Sequence, residues 1–565
     1  MGREGHEGTH GSLLACVLLC LATLLFGGCG GSSLDGAAAS EADAGPPRRG
    51  GTIVVAAAKE PPIINSWLAP GAMTITQQLT DGLSDPLVTL DPKGAWIPVL
   101  ATAVPTLDNG GVVLEDGGGM RVALELQPTA AWSDGTPITC ADVRFTWQTV
   151  MEPSNQIATR LGWEQIDGIE CPTARSVRIH FSTRYAPYLS RILSTAPLPE
   201  HALQGRNFNT IWNDRVTVSS GPYVFDSWQR GVRLTLKRNP RYWRSGHEAH
   251  ADRVVFRFVK DANTLKMQLR MQEADVSFIP ADTNLETELR GTPDVHYEVL
   301  PGAVMELLVL RTDRAPLDDV RVRQALAHAI DRRMITEVIL SGMVPPAPGP
   351  MVTTQAPAYQ DAPFAKYDKP DPARVTELLT EAGWSRAGDG PWTKGGTPLT
   401  LTWVAGAGSM PFRAKVAQLV QEQLRHQGIA TDIRLIPTEV LYSHTAPHGQ
   451  FHLGEWSELT GAEPLPNLIY GCGEIPKKPT FAGKNRAAWC NREAEALMTR
   501  ADETVDVAQR AALVKQADAI IADEVPVLPL FQSPDVVAWR SRVHGLQLNP
   551  MGLHTWNIDE WWVSE

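Results

Sequence analysis

The chain has 565 residues, of which 43% are hydrophobic and 20% charged, with a formal net charge of -12. That length exceeds what one hydrophobic core serves and predicts two or three domains of ordinary globular composition. The acidic excess stays at -11 once residues 1–28 are set aside, which argues against nucleic acid or an anionic membrane surface as a partner.

Leu13 to Phe26 is an unbroken run of apolar or small residues. As a helix it would span about 21 Å, short of the ~30 Å hydrocarbon core of a bilayer, so it reads as the apolar region of an export signal. It ends at Leu25-Phe26-Gly27-Gly28-Cys29. This resembles the bacterial lipobox, departing from it in the bulk of Phe26 and in the acids Glu4 and Glu7 near the start. The resemblance implies a signal at residues 1–28 and lipid on Cys29. It places the mature chain outside the cytoplasm, anchored to a bacterial membrane on its periplasmic or cell-surface face. The stretch from Gly30 to Gly51 is rich in Gly, Ser, Ala, Asp and Pro, and residues 29–47 read as a flexible tether.

Of seven cysteines, Cys16 and Cys20 leave with the signal and Cys29 takes the lipid. Cys140, Cys171, Cys472 and Cys490 remain, an even number in an exported chain, which predicts disulfides. Of the three pairings we favour the sequence-local one, Cys140–Cys171 with Cys472–Cys490. The absence of any C-x-x-C pair argues against structural zinc.

The first expected strand is Thr52–Ala57, followed by a helical stretch from Gln77 and a hairpin of Val112–Leu114 with Arg121–Leu126. In Trp132-Ser-Asp-Gly-Thr-Pro-Ile-Thr139, Asp134-Gly135 is a tight turn. Thr139 with Asp142 forms a capping-box variant opening a helix through Val143, Phe145, Trp147 and Val150. Val177–Phe181 is a strand, and His201, with no catalytic partner motif nearby, reads as structural. Ser220-Gly221-Pro222 is a turn before an aromatic strand, Tyr223–Trp228. After a turn at Gln229–Gly231, Val232, Leu234 and Leu236 alternate with polar residues as in a half-buried strand. Arg238-Asn239-Pro240 ends it, Tyr242-Trp243 follow, and Val254–Lys260 is the next strand.

Further on, Leu307–Leu310 is a strand. Asp318 and Asp319 open a helix whose buried stripe is Val322, Leu326, Ile330, Ile335 and Ile339, ended by Gly342. Asp371-Pro372 opens another helix, closed by Gly383. Strand Leu399–Trp403, a helix carrying Val416, Leu419, Val420 and Leu424, and strand Ile429–Ile436 form a β–α–β order that suggests an α/β domain. Asp506–Glu524 is a further amphipathic helix.

Taken in order, several of these pieces carry a resemblance. The Trp132–Thr139 run with Asp142-Val143, Leu198-Pro199-Glu200-His201, Ser220-Gly221-Pro222-Tyr223 and Arg238-Asn239-Pro240-x-Tyr242-Trp243 resemble a family signature. Asp261–Asp275 and Pro316-Leu-Asp-Asp-Val-Arg-Val-Arg-Gln-Ala-Leu326 extend it. The family is that of the extracytoplasmic solute-binding proteins of peptide-type ABC transporters (the dipeptide/oligopeptide, cluster C, family 5 group), and the resemblance covers about residues 50–565. It implies a periplasmic-binding-protein-like fold with two α/β lobes, a hinge and an inserted subdomain. Lobe I is expected at 48–84, 217–300 and 525–565, the inserted subdomain at 85–216, and lobe II at 301–524. The hinge crossings are expected near Val299–Met305 and Asp523–Pro526. The implied partners are a small peptide or peptide-like ligand and ABC permease and ATPase subunits. No cofactor is implied, and the protein is expected to be a monomer.

A peptide site needs an acid for the α-amine, a cation or dipole for the carboxylate, and strand edges for the backbone. Peptide-binding relatives carry a Trp, then Gly-Asp, then Asp-Pro, the first Asp taking the amine. The matching stretch here is Glu455 to Pro464, in which Trp456 matches and Glu463-Pro464 stands for the Asp-Pro. The amine-binding Asp is missing. Either Glu458 substitutes for it with a longer reach, or the ligand lacks a free amine. Arg311, where relatives show Asn, is the candidate cation, and Tyr223 and Trp456 are the candidate cleft aromatics.

Other readings of the sequence are weaker. His444, His448 and His452 are four apart, but Pro447 and Gly449 break the helix that would align them for a metal. The nearest alternative is the same fold binding a metal chelate, an oligosaccharide or another solute, or serving as a ligand sensor. No H-E-x-x-H, G-x-S-x-G or Walker loop supports an enzyme.

Overall fold

The computed structural model describes residues 45–259, 261–280, 288–289, 291–351, 356–359, 361–407, 412–459, 463–478, 481 and 483–564. The signal, Cys29, most of the tether, Lys260 and residues 460–462 lie outside these.

The chain is organised by one ten-stranded sheet. Its strands in chain order are β1 (Thr52–Ala57), β2 (Tyr223–Gln229), β3 (Arg233–Arg238), β4 (Arg253–Phe258), β5 (Val276–Pro280), β6 (Val295–Leu310), β7 (Thr400–Ala407), β8 (Ala430–Pro437), β9 (Leu453–Leu459) and β10 (Val527–Arg540). They lie in the order β8-β7-β9-β6-β10-β5-β1-β4-β3-β2. In the first half β1 runs parallel to β4 and β5. In the second half β7 runs parallel to β8 and β9. Strands buried on both faces need apolar side chains in both directions, which accounts for the continuous Thr-Ile-Val-Val-Ala-Ala of β1.

The two long strands β6 and β10 belong to both halves. Val295–Pro301 pairs with Arg540–Pro534, the register then shifts, and pairing resumes from Met305 opposite Gln532. Gly302 sits in the shift because a Cβ there would lie 2.5 Å from the Ser533 carbonyl oxygen and 2.9 Å from the Asp535 carboxylate. The pairing shift lies at 301–305 against 532–534. Ahead of it, Val525, Val527, Leu528, Leu530 and Phe531 pack in the second-half core with Leu307, Leu326 and Trp403. The strand must carry apolar residues into the second half before it crosses.

The insertion has its own four-stranded antiparallel sheet, Val112–Leu114, Met120–Glu125, Ser176–Phe181 and Ile166–Glu170. Its apolar cluster runs from Leu87 to Leu193. Leu198, Leu203, Phe208, Trp212 and Val216, expected with the insertion, pack instead against Ile53, Leu79 and Phe256 of the first half. The Cys140 and Cys171 sulfurs are juxtaposed in the insertion, with Cα atoms 5.6 Å apart, and those of Cys472 and Cys490 in the second half, at 4.8 Å.

The motif residues bond chiefly to one another. In the helix Cys140–Met151, Asp142 completes the capping box by accepting from the Thr139 N–H at 2.8 Å, and its other oxygen accepts from the Glu200 N–H at 3.0 Å. His201 pairs with Asp134 at 2.8 Å. Asp85 accepts from the Trp243 indole at 2.7 Å and the Tyr242 hydroxyl at 3.2 Å, while its own N–H donates to Ser220 Oγ at 2.8 Å. Gly221 has no room for a side chain, because a Cβ would meet the Gly82 carbonyl oxygen at 2.6 Å.

Two local expectations change. Val232 is 43% exposed at the hairpin turn, and β3 begins one residue later, with Leu234, Thr235 and Leu236 all buried. The stripe from Val322 to Ile339 is buried but lies on two helices, Val320–Ala329 and Arg332–Ile339. Asp331 starts the second by accepting from the Met334 N–H, so a cap interrupts what the periodicity reads as continuous. Among the described residues, no helix is long and apolar enough to cross a membrane.

Candidate functional site

Strand direction picks out a candidate site. In the first half, parallel β1, β4 and β5 end at Ala57, Phe258 and Pro280, and Pro280 lies opposite Asp535 of β10. In the second half, parallel β7, β8 and β9 end at Ala407, Pro437 and Leu459, and Leu459 lies opposite Val304 of β6. The carboxyl ends of both sets therefore converge on the same crossover, 301–305 against 532–534. In open α/β sheets ligands bind outside the carboxyl ends of the strands, and here two such edges meet.

Measured against that edge, the residues picked out from sequence separate. Tyr223 is fully buried among Leu234, Phe256 and Trp561, its hydroxyl donating to the Ile558 carbonyl at 3.4 Å. It is a core residue and not a cleft aromatic. It starts a strand that pairs inside the first half, and its ring is the plug of that core.

Arg311 lies at the opposite edge, one residue past Leu310, which pairs with the first residue of β9. Its guanidinium is already matched: Nε and Nη2 donate to Asp313 at 2.6 and 2.9 Å, and Nη1 to the Arg486 carbonyl at 2.9 Å. It does not face the site as the expected carboxylate partner.

Trp456 and Glu458 share one face of β9. Both point into the second half, over a cavity of about 10 Å³ lined also by Leu307, Tyr470, Lys484 and Arg486. That volume is about one water molecule and admits no ligand terminus. Trp456 is 1% exposed and donates its indole N–H to Glu458 Oε1 at 3.2 Å. Arg486 approaches the same oxygen at 3.9 Å and lies 5.7 Å from the Trp456 ring centroid. Burial raises the Glu458 pKa, with Arg486 and Lys484 working against it. The carboxyl is thus enclosed and flanked by two cations, which leaves it no role as an exposed amine acceptor.

The other face of β9 carries Glu455 and Ser457. Beneath the carboxyl edge, Arg413 grips Glu306 through two bonds of 2.6 and 3.0 Å, and the Ser457 hydroxyl donates to Glu306 at 2.7 Å. Glu455 is fully buried beside them. Against the pull of Arg413, burial and then the Glu306 charge push its pKa well above the usual range, which favours the protonated acid. This buried ion pair was not legible from sequence, because Glu306, Arg413 and Ser457 come from three separate stretches.

Glu463 follows β9 in the chain. It accepts from Arg510 Nη1 at 3.3 Å and from the hydroxyl of Ser190, which belongs to the insertion. Nearby the Ala186 N–H donates to the Asp502 carbonyl at 2.8 Å. Glu463 thus ties the insertion to the second half.

At the crossover the structure adds residues that the sequence did not single out. The Asp535 side chain is 50% exposed there, and its Oδ2 lies 3.6 Å from Nε2 of the buried His554. His554 Nδ1 accepts from the Asn549 N–H at 3.2 Å, so in the neutral ring the proton sits on Nε2 and faces Asp535. Phe278 stacks on the imidazole with centroids 6.1 Å apart.

The histidines spaced four apart do not converge. His444 and His448 are in ring contact at 4.2 Å. His452, however, is held between the Thr402 N–H at 3.0 Å and the Ala315 carbonyl at 3.2 Å. Among the described residues no three His, Cys, Asp or Glu side chains group to hold a metal.

With this geometry in hand, the class follows. The model of the bacterial extracellular solute-binding proteins, family 5 (middle region), matches residues 96–473, and the chain belongs to that family. It is 25% identical over 483 residues to "Di/tripeptide-binding protein 2" of Pseudomonas aeruginosa (strain UCBPP-PA14), covering 81% of this chain and 86% of that protein. Among solved structures it resembles the oligopeptide-binding protein AppA from Bacillus subtilis in complex with a nonapeptide, with a TM-score of 0.76 and 23% identity over 92% of this chain and 100% of the other. It also resembles the periplasmic EDTA-binding protein EppA, with a TM-score of 0.80 and 21% identity over 92% and 98%. The fold is the α/β periplasmic-binding-protein fold.

Proposed function

We propose that this protein is the membrane-anchored substrate-binding subunit of an ABC importer, taking a peptide or peptide-like solute between its two lobes. The observation that carries the reading is the convergence of two sets of strand carboxyl ends on one crossover. Lobe I would comprise 48–84, 217–300 and the chain beyond the 532–534 crossing. Lobe II would run from 301 up to that crossing. The 301–305 and 532–534 segments would be the hinge, around which the lobes close on ligand. Ligand stabilises the closed form because it gains contacts from both edges at once. The closed form would then dock on a permease and its ATPase. The di/tripeptide- and oligopeptide-binding relatives support a peptide ligand.

The lipobox-like Cys29 supports anchoring by lipid at an extracytoplasmic membrane face. The juxtaposed cysteine pairs support two structural disulfides in that oxidising setting.

The test is mass spectrometry of the small molecules released when the purified 39–565 region, a compact unit by itself, is denatured. A peptide is expected. A metal chelate or a sugar in its place would refute the peptide reading.

A further inference from the structure

The insertion holds on to both halves of the molecule. On the first-half side, Asp85 at its entry takes the Trp243 indole and the Tyr242 hydroxyl, and the Ser133 N–H donates to the Ser219 carbonyl at 2.8 Å. On the other side it meets the second half at a seam that uses none of the crossover residues. There the Ala186 N–H donates to the Asp502 carbonyl at 2.8 Å, and the Ser190 hydroxyl donates to Glu463. Val505 packs against the apolar cluster of the insertion. Glu463 is the shared node, because its other oxygen accepts from Arg510 within the second half.

This seam is not built like a permanent core contact. Tyr185, on the insertion, has its hydroxyl buried without a hydrogen-bond partner. So does Oδ1 of Asp502, on the helix Arg492–Glu503 of the second half. The two face the same seam, since the charges of Asp502 and Glu463 both act on the Tyr185 phenol. Buried polar atoms without partners are costly, and water would satisfy them if the seam parted. The direct bonds hold it shut while the unmatched atoms favour separation, which is how an element with two accessible arrangements is balanced.

We propose that the seam is a catch, in which the Ser190–Glu463 bond sets the proportion of molecules whose lobes are closed. The insertion is pinned to the first half and moves with it. Any rotation about the crossover that carries the first half away therefore breaks the bonds at Ala186 and Ser190 together. This deepens the two-lobe reading and rests on it. Ser190 is the residue to test, because its loss leaves Glu463 paired with Arg510.

The experiment measures the distance between spin labels on cysteines introduced at Ser227 and Ala430. Both are exposed and lie on β2 and β8, the outermost strands of the sheet. The 39–565 region, compact by itself, is compared with its co-purified solute and after stripping by unfolding and refolding. The solute-loaded protein marks the closed distance. Stripped wild type should show that distance and a second, open one. Ser190→Ala should lower the closed-to-open ratio roughly tenfold, the loss of one charge-assisted bond. Ser190→Thr, which keeps the hydroxyl, should stay near wild type. With solute bound, Ser190→Ala should return to the closed distance, which separates a shifted equilibrium from a damaged fold. Two populations in wild type that Ser190→Ala leaves in the same ratio would overturn the catch and leave hinge closure standing. A distance in loaded Ser190→Ala that differs from loaded wild type would make the contact purely structural and also overturn it. One distance in every sample, loaded or stripped, would overturn the hinge reading as well.

Discussion

Asp85 is 6% exposed and accepts from the Tyr242 hydroxyl and the Trp243 indole. Burial lifts its pKa from 3.8 to about 7, and burial does the same to Asp81, which accepts from Thr555 at 2.6 Å. The sign follows from proton counts. Between pH ~4 and ~7 the folded state keeps a proton on each acid that the unfolded chain releases, so raising the pH favours unfolding. Urea denaturation should show stability falling across that window by up to ~1.4 kcal/mol per pH unit for each acid, then levelling off above it. Asp85→Asn should remove its share of the slope. A stability that rises from pH 5 to 7 with no change in the variant would contradict the assignment. At this scale the sequence announced types and not environments. Tyr223 and Arg311 look like cleft residues because they are aromatic and cationic, but one is a core plug and the other is neutralised by Asp313.

Elements were far more legible than sites. The β2–β3 turn and the Thr139 cap with its helix are local, and their signals lie within a few residues of where they act. The break at Ile330–Asp331 is local as well, but the hydrophobic period runs straight through it. The signature motifs also acquire a reason at this scale: Asp142 joins a helix start to Glu200, and Asp85 joins a loop to Trp243. Contacts between distant elements stayed hidden, and Glu463 is the clearest. Removing its carboxylate leaves Arg510, 2% exposed at its side chain, buried without its anion. Glu463→Ala should therefore cost about 3 kcal/mol in urea denaturation. Arg510→Met with Glu463→Ala should recover much of that loss. If the single variant melts like wild type, the contact between insertion and second half does not stabilise the fold.

For the whole molecule, the arrangement of β6 and β10 matters more than any side chain. Each strand serves two cores, and Gly302 sits where their pairing slips. Length predicts more than one domain and the β–α–β order predicts an α/β second half, whereas the two-lobe layout was implied by the family resemblance. Val525 to Phe531 fill the second-half core, and the pairing of β6 with β10 slips only beyond them, at 532–534. Export makes a separate prediction: Cys29→Ser should abolish incorporation of radiolabelled palmitate and release the protein from the membrane fraction. Unchanged labelling would place the lipid on a residue other than Cys29.

The central claim is that solute binds where the two sets of strand ends meet. Hydrogen–deuterium exchange on the protein with its co-purified solute, against the same protein stripped by unfolding and refolding, tests it most directly. With solute bound, exchange should slow at residues 299–306 and 531–536 of the crossover and, at the same time, at the strand ends Ala57 and Pro437 from opposite halves. Protection confined to one half, such as the Trp456–Arg486 face alone, would contradict it.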